Sequence, residues 1–378
     1  MAAAAAARSP PELIEDALAE ILLRIPPYEP AHLVRASFVC KIWRRILSDP
    51  AFLHRYRRFH RTPPPLLGFF KDVHCPDPIP RFVPTTAPSP FSGAALFHPN
   101  PWLPIDCRHG RVLLQHARNR SNLLVWDPVT GDRLELPGLS NISRLSAVVL
   151  CAAAGCDHCH CHGGPFLVLC VDHDSTTGFA HVDLYSSQVG AWGGMVSFGM
   201  DDMESSFCQS SAVLIGDEIY FTLTLGVDGD DTTIVNCDLA SHNFSTISLP
   251  QLDNMSFVLM PTEEGLLGLA GTRGSSLFLC SWMVNAEVVT GWVQCRVIDL
   301  QTTLSVDSPI NQVNIIGFAE GVNVIFVATN YGTFIIDLKS GQPRKVSDSM
   351  ICYPVVPFMS FYTPDCACSK LPLPAETN

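Results

Sequence analysis

Charge is scarce in this chain, and positive charge scarcer still. Only 16% of the 378 residues are Asp, Glu, Lys or Arg, and 24 basic side chains stand against 36 acidic ones, a formal net charge of −12. A nucleic-acid grip needs basic side chains concentrated on phosphates, so no nucleic-acid partner is expected. Long hydrophobic runs are missing as well. The longest, near 145–156 and 322–328, fall short of the ~18–20 residues that cross a bilayer, so no membrane partner is expected either. There is no GxSxG, no phosphate-cradling glycine loop and no HExxH, which removes the usual sequence signatures of catalysis. The opening MAAAAAARSPP has neither a basic n-region nor a sufficiently apolar core for a secretion signal, and residues 1–8 read as a disordered tail.

Cysteine, by contrast, is abundant. The chain carries 15, an odd number at irregular spacing, and it is far larger than a disulfide-stapled mini-domain. With no export signal, reduced thiols in the cytoplasm or nucleus are the expectation, most of them acting as small apolar core residues. Hydrophobic content of 47% fits a well-buried globular protein, and the length suits one small module plus one large domain.

The small module is legible at residues 9–60. Ser9, Pro10 and Glu12 have the form of a helix N-terminus. Ile14, Leu18, Ile21, Leu22 and Ile25 recur as one helical stripe that Pro26-Pro27 stops. A second helix is expected from about Pro30 with Leu33, Val34 and Phe38 apolar. A third carries Val39, Cys40, Ile42, Trp43, Ile46 and Leu47. A turn at Asp49-Pro50 opens a fourth, on which Phe52, Tyr56 and Phe59 share a face. The basic run RYRRFHR at 55–61 reads as the solvated side of that helix. About 50 residues is near the lower limit for a self-sufficient domain, so part of this apolar surface is expected to stay uncovered until a partner meets it.

The order and spacing of Leu13, Leu18, Ile21-Leu22, Ile25-Pro26, Val39-Cys40-Lys41, Trp43 and then Leu47-Ser48-Asp49-Pro50 with Phe52 resemble the F-box. Ile14 departs from that pattern, standing where the family usually has proline. The resemblance implies docking on a Skp-type adaptor, and through it on cullin and RING subunits. The adaptor-binding residues it implies are Leu13, Ile14, Leu18, Ile21, Leu22, Ile25, Pro26, Leu33, Val39, Cys40, Trp43 and Leu47.

Residues 61–105 are proline-rich and read as linker and the start of a second architecture, with LLGFF at 66–70 as a possible first strand. From 106 to 378 the chain repeats itself. Glycine-led strands begin at Gly110, Gly164, Gly216, Gly265 and Gly321, spaced 54, 52, 49 and 56 residues apart. After each comes a second apolar strand breaking into a polar turn: LLVWDPVTG, HVDLYSSQVG, TIVNCDLASHN, LFLCSWMVNAE and TFIIDLKSG. A period near 50 marks a β-propeller, and the 313 residues from 66 onward hold about six blades. The sixth is expected from LLGFF together with the C-terminal MICYPVVPFMSFYTP, which would close the ring. A pair of β-sandwiches is the alternative. Phrases such as DLYSSQVGAW and PFMSFYTPD resemble the F-box-associated propellers of plant F-box proteins.

One metal-like cluster stands out, Cys151, Cys156, His158, Cys159, His160, Cys161 and His162. Thiolate and imidazole suit zinc, yet all seven crowd into one loop where alternate side chains would point oppositely. The expectation is therefore a polar inter-strand loop, with no metal site and no cofactor. The acidic pairs Asp201-Asp202 and Asp230-Asp231 read as solvated turns. The resemblance thus implies a non-catalytic substrate receptor of an SCF-type ubiquitin ligase, binding an unknown target protein through the propeller. A non-degradative F-box scaffold is the alternative, and a metal-dependent enzyme using 151–162 a remote one.

Overall fold

A computed structural model describes residues 14–60, 64–73, 79–85, 102–139, 145–153, 156, 158, 161, 163–174, 179–193, 196–199, 205–207, 212–225, 231–239, 243–250, 256–283 and 291–361. Leu13, the 1–8 tail, much of 61–105, Cys159, His160, His162, Asp201, Asp202 and Asp230 lie outside the described residues. The chain divides into two compact units, Met1–Thr62 with Phe361–Asn378, and Pro63–Ser360. Among the described residues no helix is long and apolar enough to cross a membrane.

The first unit holds four helices: α1 (Glu15–Leu23), α2 (Pro30–Ser37), α3 (Lys41–Ser48) and α4 (Pro50–His60). Ile14 is the extended N-cap of α1, with no side-chain cap bond, and Ser9, Pro10 and Glu12, read as the helix N-terminus, lie outside the described residues. The end of α1 follows the expected logic, since Arg24 caps it just ahead of Ile25, whose backbone the following Pro26 restricts. Proline again fits at the first positions of α2 and α4, where a missing N–H costs nothing. Leu22, Leu23, Leu33, Ala36, Leu47, Phe52 and Tyr56 form the core. The Tyr56 hydroxyl donates to the Ile25 carbonyl at 2.6 Å, and its ring meets Phe361 edge-on at 6.4 Å. Phe59 is a correction: it does not share the inward face of Phe52 and Tyr56 but is 49% exposed.

The second unit is a six-bladed β-propeller. Blades one to five span 102–135, 145–199, 205–248, 257–299 and 313–347, and blade six joins the strands Leu66–Val73 and Ile79–Pro84 to Val356–Met359. The closure runs through Phe69 opposite Pro357 and Phe70 opposite Val356, so the two ends of the domain share one sheet as the sequence suggested. Ile79–Pro84 pairs on one side only, an edge where Pro80 and Pro84 cost no central ladder bonds.

Apolar clusters straddle every neighbouring pair of blades from one to six. Leu113 and Val125 of blade one meet Val149 and Val168 of blade two, and Val148 and Val171 of blade two meet Ile219 and Phe221 of blade three. Ile234 and Leu269 join blades three and four, Leu277 and Ile325 blades four and five, and Phe326 and Phe69 blades five and six. Between blades six and one, Phe70 lies 6.1 Å from Trp126. Single strands therefore feed two interfaces, with Ala147 and Val149 facing one way and Val148 and Leu150 the other.

The repeated turns explain the repeated letters. Asp127 and Asp337 each end the third strand of a blade, and each carboxylate accepts two backbone N–H bonds from the turn, at 2.8–3.1 Å. The turn then passes through Gly131 or Gly341, both left-handed. Four of the five strand-leading glycines, Gly110, Gly216, Gly265 and Gly321, have positive φ. In blade two the left-handed residue is Gly163, one position before the expected Gly164.

Candidate functional site

On the helical module, the apolar residues sort into two populations. Leu18, Leu22 and Leu23 of α1 turn inward, whereas Ile14 and Ile21, seven residues apart and so on one side of the axis, are 76% and 49% exposed. The junction of α2 and α3 repeats the pattern. Phe38 caps α2 and Cys40 precedes α3, so the chain between them leaves the core, and Phe38 and Val39 are 64% and 63% exposed. Ile42 follows in the first turn of α3, also exposed, while Leu47 at its end is fully buried and Trp43 packs half-buried against the core.

The residues expected to bind an adaptor are thus placed in three ways. Ile14, Ile21, Val39 and Cys40 face solvent; Ile25, Pro26 and Trp43 are half-buried; Leu18, Leu22, Leu33 and Leu47 are core. Leu13 lies outside the described residues. The sequence reading left Tyr28, Phe38 and Ile42 off that set, although all three are exposed. The signal for Phe38 and Ile42 was their position flanking a helix boundary, where the caps turn side chains away from the core. Ion pairs brace this surface without covering it: Arg45 of α3 pairs with Glu15 of α1, and Arg55 of α4 with Glu20 of α1. Exposed pairs of this kind contribute little stability, about 0–1 kcal/mol each. The arrangement can bury apolar surface against another polypeptide, at roughly 1.5–3 kcal/mol for each large side chain fully covered.

In the propeller, polar groups meet at the ends of the inner strands. Arg108 of blade one forms an ion pair with Glu320 of blade five at 2.6 Å and donates to the Ala212 carbonyl of blade three. Asp106 is buried two residues earlier and accepts the Val149 N–H of blade two at 2.9 Å. Burial pushes the Asp106 carboxyl above its ordinary range, and Arg108 pulls it back in part. These groups hold one another and form a structural knot.

The cysteine–histidine loop differs from its expectation. Cys151, Cys156, His158 and Cys161 do not scatter: one ligand atom from each lies within 4.8 Å of all the others. Burial, with the neighbouring Cys151 and Cys156, pushes the Cys161 thiol up to about 12. The ring of His109, from the matching turn of blade one, stacks on His158 with centroids 4.3 Å apart. Burial, first, and His158 lower the pKa of His109 to about 3.

Residues 11–55 match the F-box domain, and residues 104–365 match the family described as F-box protein AT5G49610-like, beta-propeller. No curated protein matches the chain. Solved structures similar to it include the WD40 domain of SCAP from fission yeast, at 14% identity over 68% of this chain and 57% of that one, with a TM-score of 0.37. TolB from Acinetobacter baumannii is 13% identical over 63% of this chain and 52% of its own, TM-score 0.36. The chain thus spans little more than half the length of either, and likeness at these scores has no bearing on function.

Proposed function

The chain belongs to the AT5G49610-like F-box β-propeller family, and from that premise we propose that it is the substrate-receptor subunit of an SCF-type ubiquitin ligase. An F-box joined to a propeller is the architecture of a non-catalytic receptor. F-box domains typically bind Skp1-type adaptors, so the helical unit docks on such an adaptor and, through it, on cullin and RING subunits. The propeller binds a target protein, and ubiquitin transfer to that target is promoted by proximity, which raises effective concentration without bond chemistry in this chain. The same reading makes it a plant-type receptor working in the cytoplasm or nucleus.

One observation supports the reading above the others. A module that already has its own core of seven buried side chains leaves Ile14, Ile21, Phe38, Val39 and Ile42 uncovered. Exposure of that kind is the mark of an interface.

The test uses the full-length chain co-expressed with a Skp-type adaptor. Ile21→Asp combined with Val39→Asp places charge where apolar contact is needed, at two sites outside the core. Adaptor affinity is expected to fall by about 100-fold or more, two apolar contacts at roughly 1.5 kcal/mol each, while the melting profile stays unchanged. Adaptor binding that survives the double substitution would overturn the assignment.

A further inference from the structure

The hairpin joining the first two strands of blade two runs from Cys151 to Phe166, whereas the matching turn of blade one needs only His109 and Gly110 between its strands. A hairpin loop that long needs something to order it. Within it, all three thiols of the group are free, and Cys161 Sγ lies 3.7 Å from His158 Nδ1. Tetrahedral zinc, with Zn–S near 2.3 Å and Zn–N near 2.0–2.1 Å, sets neighbouring ligand atoms about 3.6–3.8 Å apart. The observed spread of no more than 4.8 Å is therefore about 1 Å from a closed coordination shell. We propose that Cys151, Cys156, His158 and Cys161 form a structural zinc site of the Cys3His type.

The surroundings are those of a metal knuckle. The Ala153 N–H donates to Cys151 Sγ and the His158 N–H to Cys156 Sγ, both at 3.4 Å. Amides aimed at sulfur two residues back favour the thiolate, the form that ligates. His158 is left-handed at φ +58°, a costly backbone for histidine, and it breaks the alternation that would send successive side chains apart. Arg111 anchors the far side of the loop through the carbonyls of Cys161 and Gly164. Three sulfurs and one imidazole are also a soft, nitrogen-containing set that suits zinc over magnesium or calcium. With all four positions filled by protein the site is closed, so its role is to fix the loop. Each thiol releases its proton to solvent as the metal binds.

The full-length protein, purified under reducing conditions and dialysed against a weak chelator, is expected to retain about one equivalent of zinc. Replacing zinc with cobalt(II) is expected to give the sulfur-to-metal charge-transfer and intense visible bands of a tetrahedral thiolate complex. Cys156→Ser and His158→Ala are expected to weaken zinc binding by at least roughly 100-fold, since loss of an outer-shell partner alone costs 10–100-fold. His158 is exposed, so its replacement leaves the propeller folded, and Cys352→Ser, an exposed cysteine outside the group, leaves zinc content unchanged. Three results would overturn the site: a folded, reduced protein that retains no zinc, zinc retention in the His158 and Cys156 variants equal to that of the unsubstituted protein, or a cobalt spectrum without sulfur ligation.

Discussion

Leu22 and Ile21 are adjacent on α1, both apolar, and they sit in opposite environments. Leu22 is fully buried among Leu33, Leu47 and Tyr56, while Ile21 is half-exposed. Truncation to alanine separates them. Leu22→Ala is expected to cost about 2–5 kcal/mol through lost contacts and a residual cavity. Ile21→Ala is expected to change stability by less than about 0.5 kcal/mol, as surface substitutions do, yet to weaken adaptor binding. Chemical denaturation and adaptor titration on the same two proteins check both halves. This division marks how far the sequence could be read. The spacing of Ile14, Leu18, Ile21 and Leu22 identifies an apolar helix, and the F-box pattern covers it. Spacing treats the four as one stripe, however, because a helix greasy on two sides has no contrast to reveal its inward face. Only the packing of α3 and α4 against α1 decides which side is core.

At the scale of elements, the blades were legible because turn chemistry repeats even where core residues do not. A left-handed backbone favours glycine, so the strand-leading glycines recur near every 50 residues while the apolar letters interchange, and the turn-capping Asp recurs in blades one and five. The strands themselves lack the alternation of a half-solvated sheet. Val148 to Leu150 is a continuous apolar run because both faces of the strand are covered by neighbouring blades. The stretch 61–105 was hardest to read, since prolines mask a strand, Ile79–Pro84, that stands at a sheet edge. The gathering of Cys151, Cys156, His158 and Cys161 was not legible for a related reason: alternation of side chains is a rule for strands, and a left-handed residue at 158 suspends it. The turn reading carries its own test. Asp337→Ala removes the acceptor for the N–H groups of Lys339 and Ser340, both at 2.8 Å. Its expected cost is about 0.5–2 kcal/mol, the range for losing a side-chain cap, whereas Asp337→Asn retains an acceptor oxygen and most of the stability. Thermal melts of the two variants decide it.

For the propeller as a whole, what must be explained is why six sheets from distant parts of the chain hold as one ring. Closure by Val356–Met359 onto Leu66–Val73 leaves no blade to fray alone, and apolar clusters join each successive pair of blades from one to six. Arg108 adds a tie of another kind, because one side chain on blade one reaches blades three and five, which are not its neighbours. Its charge is nearly buried and is balanced by Glu320 and Asp106, so taking it away leaves a buried carboxylate without its cation. Arg108→Met is therefore expected to destabilise the propeller by about 3–5 kcal/mol. The loss has a predictable pH dependence. Burial already raises the folded-state pKa of Asp106, and the Arg108 guanidinium beside it pulls it down, so the substitution raises it further. An acid whose folded pKa lies above its unfolded value holds a proton that the unfolded chain releases, and stability then falls as pH rises between the two values. The deficit of Arg108→Met should accordingly be smaller at mildly acid pH than at neutral pH, and Asp106→Asn in the same background should flatten that slope by removing the titrating group. Denaturant unfolding of the three proteins at the two pH values measures both effects, and a deficit independent of pH would rule out the buried carboxylate as its source.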